Sequence, residues 1–235
     1  MDSLLTVKDL TKKYPSGFQF GSANFELQSG STVAFLGPNG AGKSTLFQML
    51  TGNLDPSSGH INLEGAKLSP DAFELKRMVG YLPQHLQLPK WVSGREVLRY
   101  AANLYQLPEP MKQIEGMMER WDCHSYQNQP LASCSHGMQK RVGLALANIH
   151  TPRLLILDEP FSGLDLYHMR TLEELITERR KAGLATIIST HITPFVAKLC
   201  QQVFIIKKGQ VQQLGGWAEH SYEDKVKAIE NQFFQ

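Results

Sequence analysis

The sequence predicts an α/β fold: an α/β core with strand-rich N-terminal segments, interrupted by a mostly helical insertion. Three observations predict it. Strand-sized apolar runs and helix-sized segments alternate near both ends of the chain. Between roughly residues 83 and 150 the pattern changes to helical periodicity, with prolines at segment ends. One buried-type strand leads through a Gly-rich turn directly into a helical segment.

In chain order, Leu4–Val7, Phe18–Phe20 and Asn24–Leu27 read as strands separated by Gly, Ser and Pro turns. Ser31–Leu36 is a buried-type strand, followed by the Gly-rich turn and a helical Leu46–Leu50. Pro56–Gly59 is a turn, and His60–Leu63 resumes β character. Ser93 and Glu96 form a capping-box pattern for a helix running to Tyr105. Met111–Trp121 and Gly137–Ile149 are the next helices. Strand Leu154–Leu157, helix Tyr167–Lys181 and strands Thr186–Thr190 and Val203–Ile206 restore the alternation, and Tyr222–Phe234 reads as a terminal amphipathic helix. The expected organisation is one domain over 1–235, with an α/β core in 1–83 and 151–235 and a helical subdomain in 84–150.

Composition bounds the function. At about 150 residues per domain, 235 residues make one large domain or two small ones. Hydrophobic residues are 42% and charged residues 20%, an ordinary globular mixture. A net charge of +2 gives no strong electrostatic case for nucleic acid and leaves only a local patch open. Cys123, Cys134 and Cys200 are odd in number and form no CxxC pair, which fits a reduced, intracellular compartment. The first ten residues carry an early Asp2 and no apolar signal core. No run approaches the ~20 apolar residues of a membrane span.

Gly37, Pro38, Asn39, Gly40, Ala41, Gly42, Lys43 and Ser44 match G-x-x-x-x-G-K-[ST] between strand and helix, the context that pattern requires. Glycines let backbone N–H groups curl around phosphate oxygens, and the following helix points its positive dipole end at the same anion. Lys43 adds a positive charge for the β- and γ-phosphates, and the Ser44 hydroxyl can ligate Mg2+. The apolar strand Leu154–Leu157 runs into Asp158, Glu159 and Pro160. Asp158 is the candidate Mg2+ carboxylate, and Glu159 the candidate to polarise an attacking water, which hydrolysis needs and simple binding does not.

Further elements in this order resemble the nucleotide-binding domain of ATP-binding cassette (ABC) ATPases, whose core is a P-loop NTPase (RecA-like) fold with an N-terminal antiparallel β subdomain and a helical insertion. Tyr14 lies where that family places an aromatic against adenine. Gln84, after Gly80, Tyr81, Leu82 and Pro83, resembles the Q-loop glutamine that senses Mg2+ and the membrane partner. Ser135, His136, Gly137 and Met138, followed by Arg141 and Val142, resemble the signature. Ser162, Gly163, Leu164 and Asp165 resemble the D-loop, and Ser189, Thr190 and His191 the switch histidine. The resemblance covers essentially the whole chain.

It implies ATP on Tyr14, Gly37–Thr45 and Gln84, with Ser135, Gly137 and Asp165 completing the site in trans from a second copy. It implies Mg2+ on Ser44, Gln84 and Asp158, and catalytic roles for Glu159 and His191. The implied assembly is a homodimer or pseudo-dimer bound to an integral membrane permease, cytoplasmic and peripheral on the inner face of the membrane, with no nucleic-acid partner. The signature departs from Leu-Ser-Gly-Gly-Gln: Cys134-Ser135-His136-Gly137-Met138 has His136 for a Gly and Met138 for a Gln. A bulky residue before Gly-Met resembles exporter ATPases of the ABC-2 type, as does Phe161-Ser162-Gly163-Leu164-Asp165, so export is the expected direction. The permease surface is expected at His85–Tyr100, including Leu86, Leu88, Trp91, Val92 and Arg95. The alternative is a soluble ABC ATPase acting on nucleic acid or ribosomes. His60, His85, His124, His150, His168 and His220 lack metal-ligand spacing, and Met117, Met118, Trp121, Phe233 and Phe234 read as packing residues.

Overall fold

The computed structural model describes residues 3–233. The apolar pair Phe233–Phe234 and the last residue of the expected terminal helix lie outside the described side chains. Strand β1 (Ser3–Lys13) pairs antiparallel with β2 (Gln19–Gln28) and, on its other edge, with β4 (Ser58–Leu63), which pairs with the short β5 (Ala66–Lys67). Gln19–Phe20 and Asn24–Leu27 are therefore parts of one strand, not two, and Phe18 lies just before it. Phe20 and Gly21 are both buried before alternation resumes at Ala23, Phe25 and Leu27. That break in phase, matched by register shifts against β1, imitates a turn in the sequence while the pairing continues.

The second sheet has the order β10-β9-β3-β8-β7-β6. Its parallel strands are β3 (Thr32–Leu36), β6 (Val79–Leu82), β7 (Leu154–Asp158), β8 (Ala185–Ser189) and β9 (Gln202–Lys207), with β10 (Gln210–Gln213) antiparallel at one edge. β3, β7 and β8 are buried at every position, which explains their continuous apolar character in place of alternation. The helices are α1 (Lys43–Leu50), α2 (Phe73–Lys76), α3 (Gly94–Leu104), α4 (Pro110–Arg120), α5 (His136–Asn148), α6 (Leu166–Lys181), α7 (Thr193–Leu199) and α8 (Tyr222–Phe233). The expected capping box is present: Ser93 Oγ accepts from Glu96 N at 3.3 Å and Ser93 N donates to Glu96 Oε2 at 2.8 Å. β5, β6, β10, α2 and α7 are additions to the sequence reading. β5, β6, β10 and α2 have only two to four residues and α7 has seven, and β6 runs into Pro83-Gln84.

Two apolar clusters hold these layers. One fills the space between the sheets and α1: Phe35 stacks on Phe204 at 5.0 Å and meets Phe25 edge-on at 5.1 Å. Each such ring contributes roughly 2–3 kcal/mol of burial. The other joins the opposite face of the parallel sheet to α3–α7, with Trp121 fully buried in it. Helical insertion and core therefore share one continuous apolar cluster. Among the described residues no helix is long and apolar enough to cross a membrane.

Candidate functional site

Adjacency of β3, β8 and β7 brings three loops together at the C-terminal ends of the parallel strands, where open α/β sheets place their sites. The Gly37–Gly42 loop leaves β3, Asp158 ends β7, and His191 follows β8. The loop's glycines are required by its surroundings. A Cβ on Gly37 would lie 2.3 Å from the carbonyl oxygen of Ile206. Gly42 has φ 112° and is wedged against Phe20 and Phe18. Gly40 has φ 78° and no atom within 4 Å of a built Cβ, so its side faces open space.

Lys43 is buried, and its Nζ donates to the carbonyls of Gly37 (2.6 Å) and Pro38 (3.2 Å), so the cation closes its own loop. Burial pulls its pKa below the usual lysine value, against the attraction of Glu159 and Asp158. Ser44 Oγ donates to Asp158 Oδ2 at 3.2 Å, and Ser189 Oγ donates to the other Asp158 oxygen. Ser44 and Asp158 thus place two hard oxygen groups beside the loop, a donor set of the kind Mg2+ takes. Glu159 turns out of β7 with a left-handed backbone (φ 48°), and its N–H donates to Ser189 Oγ at 3.0 Å. Its Oε1 is buried and lies 3.0 Å from His191 Nε2. Burial raises the Glu159 pKa, opposed by His191 and Lys43 and assisted by Asp158. A buried carboxylate with an elevated pKa is suited to take a proton from water.

Of the residues expected here, the structure brings together the loop Gly37–Ser44, Asp158, Glu159 and His191. Tyr14 joins them through its OH, 3.3 Å from Thr45 Oγ1. Gln84 does not join them: it stands exposed after β6, with no hydrogen bond to Ser44 or Asp158. Ser135, Gly137 and Asp165 form a separate concavity of about 240 Å³ with Met138, Arg141, Gly163, Leu164 and His168. Ser135 N-caps α5, accepting from Met138 N at 3.2 Å, and Asp165 N-caps α6, accepting from His168 N at 2.9 Å.

Two residues of this region had no role in the sequence reading. Ser189 links Asp158 to the Glu159 backbone, and its signal was the Ser-Thr-His run that ends at His191. Lys140 is 2% exposed on α5, and its pKa is lowered by burial against the attraction of Asp158 and Glu159. A lysine inside an otherwise apolar helix face was the available signal there.

A phosphate loop at the end of a parallel strand, an Asp-Glu pair on the next strand but one and a histidine beyond them define a P-loop ATPase. The family model described as ABC transporter matches residues 20–162, more than half of the chain, and the chain belongs to that family. It is 36% identical over 214 residues to the ABC transporter ATP-binding protein YxlF of Bacillus subtilis, covering 90% of this chain and 70% of that one. It is 30% identical over 229 residues to the ABC transporter ATP-binding protein NatA of the same organism, covering 94% and 93%. In structure it is similar to CbiO1 of Clostridium perfringens, part of the ABC transporter complex CbiONQ, with TM-score 0.78, 32% identity and coverage of 99% and 96%. The protein is an ATP-hydrolysing subunit that powers transport.

Proposed function

We propose that two copies face each other head to tail, each ATP lying between the Gly37–Thr45 loop of one and Ser135, Gly137 and Asp165 of the other. Tyr14, half-buried beside Thr45, supports the adenine end. Ser44 and Asp158 would hold Mg2+ in this reading, and when bound the ion would supply charge neutralisation at the phosphate oxygens. Glu159 takes a proton from the attacking water while the water oxygen bonds to the γ-phosphorus and the bond to the ADP oxygen breaks. His191 holds the ionised Glu159 carboxylate in place and reaches toward the γ-phosphate. Lys43 and the loop N–H groups offset the charge that develops.

The observation that carries this reading is the Glu159–His191 contact beside the Ser44–Asp158 pair. Glu159→Gln keeps the shape and removes the base. With saturating Mg-ATP this variant is expected to run as a dimer on a sizing column with hydrolysis stalled, and a monomer there overturns the ATP-glued pair.

The permease partner belongs in a groove of about 1130 Å³ between α2, β6, α3 and α5. Phe73 is 70% exposed and Tyr100 is 72% exposed there, beside Leu88, Val92 and Leu104. An open apolar channel of that size fits an amphipathic helix. Trp91 is 81% exposed next to it. Arg95, expected to face the partner, instead pairs with Glu115 at 2.6 Å and donates to Gln127, tying α3 to its own subdomain. In this reading the protein sits on the inner face of the membrane through the permease, and the Ser135-His136-Gly137-Met138 signature supports export.

A further inference from the structure

His168 is 5% exposed, in the first turn of α6, and belongs to no part of the hydrolytic machinery described above. Its ring has one consistent hydrogen-bonding assignment. Asp165 Oδ1 can only accept, and lies 2.8 Å from Nδ1, so Nδ1 carries the proton. Arg141 Nη1 can only donate, and lies 3.0 Å from Nε2, so Nε2 is the acceptor. His168 thereby bridges the loop carrying Asp165 to helix α5, whose N-terminus carries Ser135 and Gly137.

Arg141 is itself anchored: the two hydrogens of Nη1 are shared among His168 Nε2, the carbonyls of Trp121 (3.2 Å) and Asp122 (3.0 Å) and the Asp122 carboxylate (3.4 Å), and its guanidinium lies over the Tyr126 ring at 5.1 Å. The two segments also touch directly. A Cβ on Gly137 would lie 2.8 Å from the Gly163 carbonyl oxygen, and one on Gly163 would lie 2.8 Å from His136 Nδ1. Loop and helix terminus are packed without room for an added methyl, and His168 lines their shared concavity.

We infer that His168 is a positioning residue: through Arg141 it locks the Asp165 loop onto the α5 N-terminus, so that Ser135, Gly137 and Asp165 meet the second copy's nucleotide as one preformed surface. This rests on the reading that two copies share ATP. A loop that must first be ordered against α5 weakens pairing without touching the loop that binds ATP in cis.

The test compares wild type with His168→Ala, Arg141→Ala and the double variant. Three quantities are read: ATP affinity of the dilute single subunit, the protein concentration giving half-maximal ATPase, and the melting temperature. Single-subunit ATP affinity is expected within about twofold of wild type, because the cis site is intact. The concentration for half-maximal ATPase is expected to rise about tenfold in each single variant and no further in the double, the pattern of two residues acting through one link. If His168→Ala does not fold, His168→Gln, which keeps an acceptor near Arg141, is expected to keep the wild-type concentration dependence, and His168→Asn, too short to reach Arg141, to lose it. Effects that multiply in the double variant, or variants pairing as wild type does, overturn the inference alone. Wild-type activity per subunit that does not vary with protein concentration overturns the shared-ATP reading, and this inference with it.

Discussion

His191 Nε2 lies 3.0 Å from Glu159 Oε1, at the edge of the pocket that buries the carboxylate. Burial raises the Glu159 pKa above the usual carboxylate value of about 4.3, and the base must be ionised to work. ATPase activity is therefore expected to fall on the acid side at a pH above that of an exposed glutamate. Glu159→Gln is expected to lower kcat by roughly 10²–10⁴ and to remove that acid limb. A residual rate that still titrates with the wild-type midpoint assigns the limb to another group.

Gly37 and Gly40 separate two reasons for glycine in one loop. A methyl at Gly37 meets a backbone carbonyl of β9 at 2.3 Å and cannot be relieved by a rotamer change. A methyl at Gly40 meets nothing, leaving only the left-handed backbone penalty of about 1–2 kcal/mol. Gly37→Ala is expected to destabilise by more than Gly40→Ala in urea titrations. Equal losses count against the close approach of the loop to β9.

Much of this site was legible because its chemistry is written in contiguous motifs: Gly37–Ser44, Asp158-Glu159 and Ser189-Thr190-His191 each carry their own turn and strand end. The paired carboxylate and phosphate loop come together by parallel-sheet adjacency, which alternation of β and α already implies. What was not legible depends on contacts across long separations. His168 looks like a surface helix residue until Arg141, 27 positions earlier, is packed against it. Arg95 reads as a free interface charge until Glu115 and Gln127 fold onto it. β2 was split in two because its bulge breaks the alternation that marks a strand.

Phe73 and Tyr100 line the groove with most of their surface in water, a costly arrangement unless a partner covers them. Phe73→Ser and Tyr100→Ser are expected to reduce recovery of a polytopic membrane protein in detergent pull-downs, leaving basal ATPase of the isolated subunit within about twofold of wild type. Undiminished recovery removes these two side chains from the interface.

His150 lines the same groove and stacks on Tyr105, ring centroids 3.8 Å apart and 2° from parallel. Burial lowers its pKa from 6.5 to about 4 against a hydrogen bond with the Val79 backbone, and Arg179 and Arg77 push in the same direction as burial. The folded state therefore binds fewer protons than the unfolded state between those two values. The stability this group contributes is complete above pH 6.5 and is lost as pH falls toward 4, by on the order of 2–3 kcal/mol. His150→Phe keeps a ring against Tyr105 and cannot titrate. Chemical denaturation at pH 7, 6, 5 and 4 is expected to show wild type losing stability more steeply than this variant across that window. Parallel curves for the two proteins would mean that His150 does not hold its neutral form against protonation in the folded state.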